Sequence, residues 1–115
     1  MEIKMKTVEE LVCEYCEILH GIYEKTASNP FFTQYYWVSP GNKYFKIVMR
    51  QQDKKTKEYK NDNSAHAFVE KKTGNVLMAS SYNAPAKNGV RYNLFKDLEY
   101  IKENADWAGS YLYKR

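Results

Sequence analysis

The sequence is poor in several features, and each scarcity excludes a class of protein. It holds two cysteines among 115 residues, too few for a disulfide framework, and its first residues lack the apolar segment of a secretory signal. We therefore expect a reducing, cytoplasmic setting. No apolar run approaches the roughly 20 residues that are needed to cross a bilayer, so a membrane is not among the expected partners.

Metal-ligating residues are equally scarce. Cys13, Cys16 and His20 share one side of a predicted helix, but zinc usually draws four ligands from two separated pairs, and the only further histidine is His66. A redox C-x-x-C pair begins a helix, whereas this pair lies in the middle of one. We interpret the cysteines as small side chains beside the core, and we expect neither a metal nor another cofactor.

Catalytic motifs are missing too. His66 falls on a predicted strand, on the opposite face from neighbours such as Ala67, with no orienting carboxylate or nucleophile within reach. Ser80 and Ser81 lack a G-x-S-x-G context, and residues 87–96 lack the G-x-x-x-x-G-K-[ST] loop. The sequence therefore predicts that the protein is not an enzyme, with an unrecognised small enzyme as a minor alternative.

Tyrosine and positive charge, by contrast, are abundant. Eleven tyrosines raise the aromatic fraction to 16%, which favours half-buried positions and contact surfaces. Residues 1–40 carry three cations against six acids, residues 41–96 twelve against four, and residues 97–115 three against four. The positive field of the middle segment can attract nucleic acid or another polyanion, although a solvated lysine-rich surface explains it equally well.

Hydrophobic periodicity and capping signals predict two helices. Thr7 and Glu10 form a capping box, and apolar residues recur behind it at helical spacing, so we expect a helix over residues 8–27. Asn93 is suited to cap a second helix that runs to Glu103.

Four strands are predicted between the helices. Residues 31–38 and 43–51 flank a Ser-Pro-Gly-Asn turn, and residues 64–70 and 75–81 flank a turn with Gly74 at its left-handed position. The polar residues between the second and third strands predict an exposed loop or a long hairpin tip.

Alternation along the second predicted strand separates two faces. One face carries Phe45, Ile47 and Met49. The other carries Tyr44, Lys46, Val48 and Arg50.

The predicted fold class is α+β, in one domain over residues 1–115. It comprises an N-terminal helix, a four-stranded antiparallel meander, a C-terminal helix and a packed aromatic tail. Residues 1–30 are interpreted as a helical addition to a core of residues 31–115. The tail is expected to pack because its large side chains are costly to leave in water, and these are Trp107, Tyr111, Leu112 and Tyr113.

The connection over residues 80–95 is the most distinctive stretch. Pro85 and the Asn88-Gly89 turn signal predict a long, punctuated loop between a strand and a helix, which is a common place for binding residues. An ordered connector whose tyrosines cover the edge of the core is an equal alternative.

This loop offers the elements of an anion site. Asn88-Gly89 would present backbone amides to a phosphate or carboxylate, with Lys87 and Arg91 beside them. Tyr82 and Tyr92 would offer rings for base stacking. Alternatively, Arg91 pairs with Asp97 or Asp106, and Tyr92 closes the core.

Three runs of residues resemble a family of small phage-encoded proteins of unknown function. These runs are HAFVEKKTGNV at 66–76, SSYNAPAKNGVRYNL at 80–94 and ADWAGSYLY at 105–113. In that family a D-K-x-T-G-like turn precedes K-A-P-A-K-G-x-R-Y-N-L, and A-D-W-A-G-G-Y-L-Y lies near the C-terminus. This chain departs from the pattern at Asn83, at the inserted Asn88 and at Ser110. The resemblance covers about the last half of the chain and implies a phage origin in the cytoplasm of a host cell, without a mechanism.

The leading functional prediction is a non-catalytic phage accessory protein that binds nucleic acid or a nucleotide through a basic sheet face and the 82–92 loop. The alternative is a protein-binding modulator of a host enzyme or defence factor, with the acidic first helix as a contact. The predicted site residues are Lys46, Arg50, Tyr82, Lys87, Arg91 and Tyr92.

Overall fold

The structure, a computed structural model, describes residues 6–26, 29–106 and 109–113, with the backbone alone at 61–63 and 88. Its elements follow one another as a helix, five strands, a second helix and a short 3₁₀ turn. They are α1 (Val8–Thr26), β1 (Phe32–Pro40), β2 (Tyr44–Asp53), β3 (Tyr59–Glu70), β4 (Asn75–Ser81), β5 (Ala84–Asn93), α2 (Leu94–Asn104) and η1 (Ser110–Tyr113). Among these residues no helix combines the length and apolar character that crossing a bilayer requires.

The described strands form one antiparallel meander in the order β1-β2-β3-β4-β5. This confirms the α+β class with a helix at each end, but the sheet has five strands where the sequence predicted four. The additional strand is β5, which occupies most of the stretch predicted as a loop. β5 is an edge strand, where proline is tolerated, and Pro85 pairs with Ala79 between two shifts of register. The turn signals therefore mark irregularities within a strand.

The polar segment between β2 and β3 is a long hairpin tip, the second of the two predicted forms. β2 continues to Asp53 and β3 begins at Tyr59. The Asp53 carboxylate accepts hydrogen bonds from the backbone amides of Lys55 and Thr56 at 2.8 and 2.9 Å, which closes the turn.

Both helices begin at the predicted caps. The Thr7 hydroxyl accepts a hydrogen bond from the Glu10 amide at 3.2 Å, and the Asn93 side chain accepts one from the Phe95 amide at 2.9 Å. α1 is described to Thr26, and its predicted end at residue 27 lies outside the described residues.

The main core lies between one face of the sheet and the elements α1, α2 and η1; we call this face the helix face. α1 supplies Leu11, Val12, Tyr15 and Leu19 to this core. The sheet residues that meet it include Tyr36, Phe45, Ile47, Val69, Val76 and Tyr92. The predicted alternation of β2 is confirmed, because Phe45 and Ile47 face the helices.

Two bulges change which side chains reach the helix face. Ile47 pairs with Ala67 but Val48 pairs with Ala65, so His66 is the extra residue of β3. His66 is buried on the helix face together with Ala67, and the prediction that they face opposite ways is wrong because strict alternation fails at a bulge. A second register shift makes Arg91 the extra residue of β5.

The C-terminal residues pack over the helix face. Tyr111 and Leu112 are buried in η1, which confirms the packed tail for these residues, whereas Tyr113 is exposed. Trp107, the other aromatic residue of the predicted tail, lies outside the described residues.

Two glycine substitutions should change stability in opposite directions. Gly74 has a φ of +77°, and a Cβ there would lie 2.9 Å from the Phe95 ring, so Gly74→Ala should lower the free energy of unfolding by about 1–3 kcal/mol. Gly21 lies in α1 with nothing within 4 Å of an added Cβ, so Gly21→Ala should raise it by about 0.5–1 kcal/mol. Urea denaturation measures both, and a shift of the same sign in the two variants would contradict this account.

Candidate functional site

The face of the sheet opposite the helices, which we call the open face, carries its own small apolar layer. Val48, Phe68 and Leu77 are buried there, outside the main core. Their positions follow from the register, which pairs Lys46 with Phe68 and Phe68 with Leu77. The Tyr44 ring meets the Phe68 ring edge-on, with the centroids 6.0 Å apart. Since no described helix covers this layer, larger side chains of the same face must shield it from water.

Arg50 organises one end of the open face. Its guanidinium carbon lies 5.7 Å from the centroid of the Trp37 ring and 5.3 Å from that of Tyr59, within the range of cation–π attraction. The two rings meet edge to face, 4.9 Å apart. Arg50 Nε donates a hydrogen bond to the Lys60 carbonyl oxygen at 2.8 Å, which fixes the guanidinium plane. We call these three side chains the Arg50 cluster.

Lys46 and Tyr82 form a second group on the same face. Lys46 Nζ lies 3.9 Å from the centroid of the Tyr82 ring, which β4 and β5 hold at their connecting turn. Lys46 and Arg50 are both on β2 and four residues apart, so the two groups follow one strand. A long cationic side chain over an aromatic ring shields apolar area while keeping its charge in water.

The positive charges of these groups are not neutralised within the described part of the chain. Neither Lys46 nor Arg50 forms a salt bridge there. Glu70, opposite Tyr44, accepts a hydrogen bond from the Thr73 hydroxyl. The open face therefore combines accessible rings with unpaired cations. Its three most accessible rings, Trp37, Tyr59 and Tyr82, have exposed fractions of 39%, 38% and 41%.

The structure divides the six predicted site residues between two faces. Lys46, Arg50 and Tyr82 lie together on the open face, and Lys87 is exposed on the edge strand β5. Trp37 and Tyr59 join them, although sequence reasoning did not select either. The pairing between strands brings them to this face, since Trp37 lies opposite Val48 and Tyr59 opposite Gln52, and no signal within a single strand indicates it.

Arg91 and Tyr92 lie on the helix face instead. Arg91 Nε donates to the Leu112 carbonyl oxygen at 2.6 Å, which ties β5 to η1. Tyr92 has an exposed fraction of 4%, and its hydroxyl donates to the Tyr111 carbonyl oxygen at 3.0 Å. A base cannot stack on a buried ring, so the predicted stacking role does not fit Tyr92, and the alternative in which Tyr92 closes the core does.

The predicted anion cradle at Asn88-Gly89 does not fit the structure either. Gly89 is buried within β5, and a Cβ there would lie 2.8 Å from the Ala86 carbonyl oxygen. A glycine is needed at this position because any side chain would collide with the backbone of Ala86.

The cysteines and His20 of the N-terminal motif have separate surroundings. Cys13 is exposed, whereas Cys16 is buried in the core, where burial raises the pKa of its thiol to about 12. His20 Nδ1 is 2.8 Å from the Gln34 carbonyl oxygen of the edge strand β1, and its ring stacks on Tyr35 at 4.5 Å. His20 therefore joins α1 to the edge of the sheet.

A buried polar network crosses the helix face. His66 Nε2 is 2.7 Å from the Tyr111 hydroxyl, which also forms a short hydrogen bond with the Tyr15 hydroxyl. The network joins β3, η1 and α1. Burial lowers the pKa of His66 to about 4, with Asp106 acting in the opposite direction, and burial raises the pKa of Tyr111 well above its usual value.

The fold and its surface define a two-layer α+β domain with helices on one face of the sheet and an aromatic, cationic open face on the other. The chain belongs to DUF7717, a family of unknown function, whose model matches residues 1–114. The match includes the first 30 residues, which the sequence suggested as an addition. No curated protein and no solved structure matches the chain. The phage origin stays a prediction.

His66 should make stability depend on pH in a defined window. Its pKa is 6.5 in the unfolded chain and about 4 in the fold, so only the unfolded chain binds the proton between these values. The resulting loss of stability begins as pH falls through 6.5 and amounts to about 3 kcal/mol at pH 4. Urea denaturation from pH 7 to 4 should therefore give a shallower slope for His66→Phe than for the parent chain. An unchanged slope in His66→Phe would refute the assignment.

Proposed function

We propose that this protein binds single-stranded nucleic acid across its open face. The observation that carries the proposal is the pairing of accessible aromatic rings with cations that form no salt bridge to a described residue, on a sheet face that no described helix covers. Each exposed ring, those of Trp37, Tyr59 and Tyr82, has a cation over it. Proteins that bind single strands combine aromatic rings for stacking with cations that follow the phosphates.

A single strand fits this surface better than a duplex does. Aromatic rings on a sheet can stack only on unstacked bases, whereas the bases of a duplex are already stacked on one another. The Arg50 cluster would receive one or two bases, and Tyr82 would receive another at the far end of β2. Sequence preference would be modest, because every base has a face on which to stack.

The phosphates would be held by the cations of the same face. Because Arg50 Nε donates to the Lys60 carbonyl oxygen, the two terminal guanidinium nitrogens would bind a phosphate. Lys46 would follow along β2, and Lys87 on the edge strand β5 would add a further cation. The net positive charge of +4 would draw the strand toward this face.

A protein partner is the second candidate function. Exposed tryptophan, tyrosine and arginine are the residue types that dominate binding energy at protein interfaces, and the Arg50 cluster contains all three. This candidate retains the idea of a phage-encoded modulator of a host protein. It differs from the first in its expected response to salt.

Removing one ring of the Arg50 cluster should weaken binding to a labelled single-stranded oligonucleotide. Trp37→Ala and Tyr59→Ala should each cost about 1–3 kcal/mol of binding free energy, the usual contribution of one stacked base. Tyr100→Ala is the matched control, because Tyr100 is an exposed tyrosine of α2, away from the open face. Fluorescence anisotropy measures the affinities. Equal losses in all three variants, or none in any, would count against the open face as the site.

The salt dependence of that binding should identify the phosphate contacts. Each lost contact should reduce the slope of log affinity against log salt by about 0.7 for a single strand, so Lys46→Ala and Arg50→Ala should both give shallower slopes. Lys102→Ala should leave the slope unchanged, because Lys102 is an exposed lysine of α2. Tight binding to a protein with little response to salt, and no binding to oligonucleotides, would favour the second candidate.

A further inference from the structure

A cavity of about 310 Å³ lies on the helix face, away from the open face. Its walls come from the sheet residues Met49, Ser64 and Met78 on one side and from Leu112 of η1 on the other, with His66 and Gly109 between them. Its volume is at the lower end of the range for small-molecule sites. The proposed nucleic-acid interface uses none of these residues.

Gly109 brings the C-terminal segment close to the His66 ring. Its φ is +86°, a conformation that side chains with a Cβ rarely adopt. The atoms nearest to the position of a Cβ on Gly109 are Cε1 and Nδ1 of His66, at 3.6 and 3.8 Å. The Nδ1 edge of the imidazole is therefore turned toward Gly109, and both residues line the cavity.

The hydrogen bonds of Tyr15 and Tyr111 determine which ring nitrogen of His66 carries the proton. Among the described residues the Tyr15 hydroxyl has one partner, the Tyr111 hydroxyl, so Tyr15 donates to Tyr111. Tyr111 then donates its own proton to Nε2 of His66. The reverse direction would leave the buried Tyr15 proton without an acceptor, which is costly. A neutral imidazole that accepts at Nε2 carries its proton on Nδ1.

The cavity therefore holds one strong donor in a mostly apolar wall. His66 is 91% buried, its exposed fraction being 9%, and Nδ1 has no hydrogen-bond partner among the residues that the structure describes. The Ser64 hydroxyl is directed to the Met49 sulfur at 3.8 Å. Met49 and Met78 have flexible side chains, which suits them to the outline of a ligand.

We propose that this cavity binds a small uncharged ring molecule through a hydrogen bond from His66 Nδ1 to a single acceptor, either an aromatic ring nitrogen or a carbonyl oxygen. The methionines and Leu112 contact the apolar body of the ring. A charged ligand is disfavoured, because the described lining residues carry no counter-charge to replace its hydration. The proposal stands independently of nucleic-acid binding, since it uses the other face of the sheet.

Pyridine and benzene are matched probes for this site, because they have the same shape and differ in one acceptor. Titration of the full chain at neutral pH, followed by ligand-observed NMR, should show pyridine binding about two- to tenfold more tightly than benzene. Long-range ¹H–¹⁵N spectra of the free protein should show His66 protonated on Nδ1, and pyridine should shift that nitrogen. A His66 protonated on Nε2, or equal affinity for the two probes, would overturn the proposal.

Ser64→Leu narrows the rim of the cavity and should weaken the binding of both probes. Ser64 is exposed, so this variant should keep the fold, which the amide spectrum checks. Ser39→Leu is the control, because Ser39 is an exposed serine of β1 outside the cavity lining, and it should leave probe affinity unchanged. Unchanged affinity in Ser64→Leu, or equal losses in the two variants, would place the probes elsewhere and overturn the proposal.

Discussion

A sheet has two faces, and the described part of this chain covers one of them with α1, α2 and η1. The apolar residues on the other face must then be shielded by side chains of the sheet itself. Here the shield is built from cations that lie over aromatic rings, as Arg50 does over Trp37 and Tyr59. Such a shield keeps apolar area from water while leaving charge at the surface, and those are the properties of a stacking platform for a polyanion. The same constraint thus accounts for the stability of the open face and for its proposed function.

The helix face has a different character, because two bulges add polar groups to a closed core. His66 and Arg91 are the extra residues of β3 and β5, and both turn toward η1. Arg91 fixes the backbone of that turn, and His66 joins the Tyr111–Tyr15 network. His66 is buried and Arg91 is partly buried, and such polar groups specify one arrangement of the elements, since each loses a partner if the C-terminal turn moves. His66 also lines the cavity beside η1.

Local signals in the sequence predicted much of the fold. The capping box at Thr7, the cap at Asn93 and the alternation of β2 depend on residues a few positions apart, and all three are confirmed. β5 was missed because Pro85 and Asn88-Gly89 resemble a loop, whereas an edge strand tolerates both.

The candidate site was predicted in part, for a related reason. Lys46 and Arg50 could be found from charge and alternation, and Tyr82 from the composition of the 80–95 segment. Trp37 and Tyr59 join Arg50 only through pairing between strands, and the positions of Arg91 and Tyr92 depend on a bulge. Sequence periodicity does not encode register across strands, so these side chains could not be assigned to a face from the sequence alone.

The most direct test of the central claim is to map a bound single strand by NMR. Labelled protein titrated with an unlabelled oligothymidylate should show its largest shifts at the Trp37 indole and at residues of the open face around Arg50 and Tyr82. The signals of residues on the helix face, and those of Tyr100 and Lys102 in the covering helix α2, should shift little. Shifts concentrated on α1 or α2, or no shifts at low salt, would contradict the claim that the open face is a single-strand platform.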